Sequence, residues 1–356
     1  MIKERIEKLL DAMQKNNTNA LFINKPEDRY YLSGFSGSNA FLLYTSENTY
    51  LITDFRYIEQ AKDESPDYQV VRYNRDDLYE IINDLLAKES INQLTFDSSA
   101  ITYEMFQEMS EKLKVTLKSE KSLVKDIRSI KDEEEIATIK KAQSISEKAF
   151  EQLLSIIKPG ITERELSVEL EYNMLKLGAS KLAFPSIVAS GVRSALPHGR
   201  ATDKVVEHGD FITFDFGAYY NGYCSDMTRT IVVAECSNKQ KEVYNTVLKA
   251  QLEALAAIKV GVNGKDLDNV AREVITKAGY GEYFGHGLGH GVGKVVHEAP
   301  SASPLSKDIL QENQLLTIEP GIYIPNWGGV RIEDLVVIKE DGHINLNKFT
   351  KDLLVI

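Results

Sequence analysis

The sequence predicts a mixed α/β chain of two domains: a small amino-terminal α/β unit over residues 1–126 and a larger unit of helices and alternating strands over residues 127–356. Its 356 residues suffice for about two cores of ordinary size. Short apolar strand patterns alternate with helical ones through the first third of the chain. The charged stretch LVKDIRSIKDEEEI then separates that third from a part rich in histidines and patterned acids.

Ile2, Ile6, Leu9, Leu10 and Met13 recur at helical spacing, and the segments near Ala20–Ile23, Ala40–Tyr44 and Tyr50–Thr53 read as short strands. Helical patterns around Ile58 and Leu78–Leu86 separate these from further strands near Val70 and Leu94–Phe96. Asp132 and Glu135 can form a variant capping box, in which each side chain bonds the other's backbone N–H, so a helix should start there and run to Lys158–Gly160. Thr162 with Glu165 caps the next, which ends near Gly178. Ser237 and Gln240 open a third that stops at Gly261, and a fourth ends at Gly279.

Hydrophobic residues at 43% and charged residues at 27% describe a soluble globular protein. A net charge of -11 argues against nucleic-acid or anionic-membrane partners, both of which require a basic surface. The start, MIKERIEKLL, scatters charges among its apolar positions and does not read as a secretory signal, and no apolar run approaches the ~18 residues of a membrane span. Cys224 and Cys236 lack a C-x-x-C spacing and read as reduced thiols of a cytoplasmic protein.

The histidines fall beyond residue 190. His208 and His343 sit in polar, turn-like sequence and are expected to face solvent. The stretch GHGLGHGVG, Gly285–Gly293, sets His286 and His290 four apart with a glycine at every second position. Each glycine costs about 1 kcal/mol relative to alanine inside a helix, so an extended segment is expected. His286, Leu288, His290 and Val292 would then share one face, and the glycines would leave bare backbone for a neighbour to approach. At about 3.3 Å per residue the two histidines lie about 13 Å apart, which predicts one metal ligand and one substrate-side histidine.

DFITFDFGAYYNGYCSDMTRTIVV reads as a hairpin turning at Asn221-Gly222. Pairing Tyr220 with Tyr223 puts Asp215 opposite Thr228, with Asp226 its diagonal neighbour on the same face. In LLTIEPGIYIPNWGGVRIEDLVVI, a hairpin closed over Pro325–Gly329 puts Glu319 opposite Leu335 with Glu333 diagonal, Arg331 on that face and Pro320 at an edge or bulge. Four inward acids are costly unless something positive lies among them. One imidazole with four carboxylates is an oxygen-rich donor set that suits two divalent ions, manganese first, with cobalt, iron or zinc as alternatives. Such a pair can hold a bridging hydroxide and polarise a carbonyl, the chemistry of metal-assisted hydrolysis.

The order Asp215, Asp226, His290, Glu319, Glu333 resembles the metal-ligand signature of the metallopeptidases with the pita-bread fold, which include methionine aminopeptidase, aminopeptidase P and prolidase. The flanking text FPSIVASGVRSALPHG, GHGLGHGVGKVVHEAP and TIEPGIY is similar too. YYLSGFSGSNAFLLYTSENTYLITDFRYIEQA resembles the amino-terminal domain of aminopeptidase P and prolidase. The resemblance implies an amino-terminal creatinase/prolidase-like domain, a pita-bread catalytic domain and a Xaa-Pro peptidase that attacks by a metal-bridging hydroxide. It implies metal ligation by Asp215, Asp226, His290, Glu319 and Glu333, with Glu319 also moving a proton. His198, His286 and His297 would contact substrate, and Arg331 would support the carboxylates. The implied partners are small peptides with proline second and a second copy of the chain, and the implied location is the cytoplasm. A methionine aminopeptidase and a catalytically inactive binding protein on the same fold are the competing readings.

Overall fold

The structure is a computed structural model describing residues 2–121 and 123–356. Its internal contacts divide it into Met1–Arg128 and Ser129–Ile356.

The first unit is built on a six-stranded sheet whose spatial order is Gln69–Arg72, Thr49–Thr53, Ala40–Thr45, Ala20–Ile23, Gln93–Asp97 and Thr116–Glu120. Period-two alternation divides its side chains between two cores. Leu21 and Ile23 join Leu42, Tyr44 and helix residues Ile6, Leu9 and Met13 on one face. Ala20, Phe22 and Leu43 meet Ile82, Leu86 and Met109 on the other. Helices therefore cover both faces, as a mixed sheet with parallel crossovers requires. The sixth strand, TLKSE, is polar and half exposed at the sheet edge, so it gives no apolar pattern to read.

In the second unit two helix pairs flank strands. Helices Glu133–Leu153 and Glu163–Lys176 pack with strands Ile187–Ser190, Phe211–Phe216 and Met227–Val232 around Phe150, Leu170, Phe214 and Ile231. Helices Asn238–Ala257 and Gly264–Lys277 pack with the later strands around Val247, Leu267, Ile318 and Val336. The capping boxes at Asp132, Thr162 and Ser237 are all present. His343 departs from expectation. It lies in strand Gly342–Asn345 opposite Ile338 and is partly buried, because the polar sequence around it still pairs with an apolar neighbour strand.

Both acid-bearing hairpins break in the middle. The first turns at Asn221-Gly222, both with positive φ, and pairs Tyr220 with Tyr223 and Asp215 with Thr228. Gly217 sits at its break, where a Cβ would lie 2.0 Å from the Ser225 carbonyl oxygen. The second turns tighter than the sequence suggests. Ile324 pairs with Gly328 across only Pro325, Asn326 and Trp327, because Asn326 and Gly328 both take positive φ. The register moves by two residues, so Leu335 pairs with Thr317 instead of Glu319, and Glu319 and Glu333 face each other between two ladders. A shift of two keeps every side chain on its face. At this break the Glu319 N–H donates to the Leu288 carbonyl (2.8 Å) and the Glu333 N–H to the Thr228 carbonyl (3.1 Å). Each glutamate thereby leaves its own hairpin and stitches a different segment to it.

Arg229 fastens the back of this junction. It is 2% exposed and donates to Asp334 Oδ1 at 2.8 Å and to the carbonyls of Thr228, Glu333, Phe349 and Thr350. Replacing it by Met leaves several buried acceptors unpaired, which should lower stability by about 3 kcal/mol or more. Urea denaturation of Arg229→Met measures this, and an unchanged midpoint would refute it.

Candidate metal centre

Asp215 projects from strand Phe211–Phe216, Asp226 from the break of the first hairpin, His290 from strand Gly289–Gly291, and Glu319 and Glu333 from the break of the second. With His198, His286, His297 and Arg331 they line one cavity of about 1260 Å³. All nine residues singled out in the sequence are brought to it. Its apolar wall includes Phe184, Pro185, Leu196 and Pro197.

The alternating glycines explain how His290 arrives. A Cβ on Gly289 would lie 1.8 Å from the Thr317 carbonyl oxygen, and one on Gly291 2.2 Å from that of Ala299. His290 is thus clamped between strand Leu315–Ile318, which leads into Glu319, and strand Glu298–Ala302, which follows His297. The expected single face is only half realised: His286 and His290 reach the cavity, but Leu288 and Val292 are buried in two separate apolar clusters. The segment forms a strand for only three residues and shifts register after His290, so period two does not persist.

The His290 ring is oriented by its Nδ1, 3.1 Å from the Gly291 carbonyl, which makes Nδ1 the donor and leaves Nε2 as the free lone pair. That Nε2 lies 3.3 Å from Glu319 and 3.7 Å from Asp226. Ligand atoms of Asp226, His290 and Glu333 all fall within 4.8 Å of one another. Thr228 Oγ1 donates to Glu333 at 2.8 Å, and Arg331 Nη2 to Asp215 Oδ2 at 2.6 Å. Asp215 Oδ1 is buried and accepts no hydrogen bond.

The electrostatics match this crowding. Burial, then repulsion from the neighbouring carboxylates, pushes Asp226 and Glu333 well above the ordinary carboxylate range. Burial also raises Asp215, against the pull of Arg331. For Glu319, burial is outweighed by the His290 contact and nearby cations, which hold it at about 2. Burial lowers His286, and it lowers His297 together with the adjacent His290. Arg331 is the fixed positive charge bonded into the cluster. An orphaned acceptor and repelling acids around a preoriented imidazole lone pair fit divalent cations, which would compensate the negative charge.

His286 has a different part. Its Nδ1 faces the Gly287 carbonyl at 2.8 Å and its Nε2 meets the Tyr323 hydroxyl at 2.9 Å, which leaves no free lone pair for a metal. Tyr323 also accepts from Arg331 Nη1 at 2.8 Å, so this buried phenol links His286 to the arginine that holds Asp215. Sequence reasoning passes over Tyr323. Its position, four after Glu319 on an alternating strand, is the available signal.

The sequence matches metallopeptidase family M24 over residues 137–340 and the creatinase/prolidase N-terminal domain over residues 5–130. A Xaa-Pro dipeptidase of Pyrococcus furiosus is 44% identical over 99% of this chain and 100% of its own length. Among solved structures, a Xaa-Pro dipeptidase from Bacillus anthracis superposes with a TM-score of 0.97 at 42% identity, covering 100% of both chains. An X-Pro aminopeptidase from Thermotoga maritima gives 0.90 at 41% identity over 97% of this chain and 100% of that one. The pita-bread expectation for the fold is met, and the chain belongs to metallopeptidase family M24.

Proposed function

We propose that this protein hydrolyses the bond between an amino-terminal residue and a following proline, as a Xaa-Pro dipeptidase or aminopeptidase. The observation that carries the reading is the convergence of four acids, Asp226 and Glu333 buried and Asp215 and Glu319 partly so, and one oriented histidine on a cavity walled by further histidines and by apolar residues suited to a proline ring. Asp215, Asp226, His290, Glu319 and Glu333 would hold two divalent ions, manganese first. Bound there, the ions would supply Lewis acidity and acidify water.

The chain's own residues do the rest. Glu319, kept ionised beside His290, accepts the proton of the attacking water and returns one to the departing proline nitrogen. His198 and His297 stand at the accessible part of the cavity, where they hold the peptide and donate to its carbonyl oxygen as negative charge develops. His286 is steadied by Tyr323 to orient the substrate, and Arg331 keeps Asp215 in place. Both cysteines are free thiols, in keeping with a cytoplasmic location, and the working form is taken to be a homodimer.

Metal-loaded protein should cleave Ala-Pro or Ala-Pro-Gly and leave Ala-Ala-Gly intact, and a chelator should abolish turnover. Cleavage of Ala-Ala-Gly alone would overturn proline specificity. Metal analysis showing two ions bound without cleavage of any of the three would favour an inactive scaffold.

A further inference from the structure

Of the cavity histidines, His286 is tied by its ring to the Gly287 carbonyl and Tyr323, and His290 to the Gly291 carbonyl. His198 lines the same cavity but is exposed, and among the described residues no hydrogen bond holds its ring. Its aim therefore depends on the backbone that carries it, the segment from Ser190 to Thr202.

One side chain holds both ends of that segment. Glu163, the first residue of helix Glu163–Lys176, is 0% exposed. Its Oε1 accepts from the Ser190 N–H at 2.7 Å and the Ser190 hydroxyl at 3.0 Å, and its Oε2 from the Thr202 N–H at 3.0 Å and the Thr202 hydroxyl at 2.7 Å. Arg193, inside the segment, donates from Nε to both oxygens at 3.1 and 3.2 Å and from Nη2 to the Arg200 carbonyl. Helix capping does not account for these bonds, because Thr162 and Glu165 already form the cap. Nearer the ring, the Pro197 carbonyl accepts from Arg331 Nη1 at 3.2 Å, and Gly199 packs so closely that a Cβ there would lie 2.8 Å from that of Ala189.

A loop whose two ends share one buried carboxylate keeps its shape only while both oxygens accept. A glutamine there has one accepting oxygen instead of two, so one end of the loop must come free. We propose that Glu163 is a positioning residue for the hydrolysis: through the loop it holds His198 where that ring donates to the substrate carbonyl. The inference rests on the Xaa-Pro reading above, in which His198 has that part.

Kinetics on Ala-Pro with metal-loaded wild type, Glu163→Gln, His198→Ala and the double variant test it. Glu163→Gln should lower kcat/KM by about 10- to 100-fold, the range for a donor displaced by about 1 Å, and mostly through kcat. In the His198→Ala background the same substitution should cost less than about twofold, since the ring it aims is gone. Manganese titration of the chelated proteins by calorimetry should give Glu163→Gln the wild-type affinity. Equal losses in both backgrounds, an unimpaired Glu163→Gln, or a fall in manganese affinity that matches the fall in rate would overturn the assignment. Where Glu163→Gln does not fold, Thr202→Val decides: it removes only the hydroxyl at one end, and its smaller loss should likewise vanish in the His198→Ala background. A fully active His198→Ala overturns the assignment and leaves the Xaa-Pro reading standing. Failure of the underlying reading looks different: wild type then cleaves no proline substrate, which removes both claims together.

Discussion

Glu319→Gln should lower turnover by about 10²- to 10⁴-fold while leaving the metal-free protein as stable as wild type or more so. Glutamine has nearly the same shape and its amide N–H can donate to the His290 Nε2 lone pair, so the break in the second hairpin is undisturbed. What disappears is an anion that adds to the repulsion on Asp226 and Glu333, together with the ionised proton acceptor beside His290. The two consequences separate a catalytic from a structural role. Kinetics on Ala-Pro and thermal unfolding after exhaustive chelation measure them. Loss of activity together with a large loss of metal-free stability would assign Glu319 to the scaffold instead.

Gly289→Ala should be the most damaging of the glycine substitutions in GHGLGHGVG. Its new methyl meets a backbone carbonyl at 1.8 Å, and backbone cannot swing aside as a side chain can. The strands must part, at a cost of about 3 kcal/mol or more, and His290 must move away from Glu319 with them. A displacement of about 1 Å at a reacting centre is worth about 10²-fold in rate. Gly285 belongs to the same stretch, but a methyl added there would meet nothing within 4 Å, so Gly285→Ala should unfold near the wild-type midpoint. Urea melts of the two variants check the contrast, and equal destabilisation would refute the close-approach explanation.

The parts that local chemistry determines are readable from the residues. Asn221-Gly222 selects a two-residue turn, and that turn alone sets the register that places Asp215 and Asp226 on one face. The capping boxes name the helix starts for the same reason: both partners lie within one turn. The second hairpin departs by two residues from its expected register because its loop length depends on Asn326 adopting positive φ, which the sequence permits without requiring. The evenness of that difference preserves the faces, so the acids still fall on a common side. Tyr323 owes its surroundings to His286 and Arg331, and no periodicity reports such contacts. The polar edge strand Thr116–Glu120 escapes sequence reading because pairing, not burial, holds it.

The stitching of Glu319 to Leu288 and of Glu333 to Thr228 carries a consequence for biosynthesis. A ribosome must release Glu333 from its exit tunnel before the last of the five side chains can dock, by which time Asp215 has been outside for more than a hundred residues of elongation. Assembly of the complete candidate centre therefore waits on the emergence of Glu333, and a translation product stalled ahead of this point would lack the last of its carboxylates.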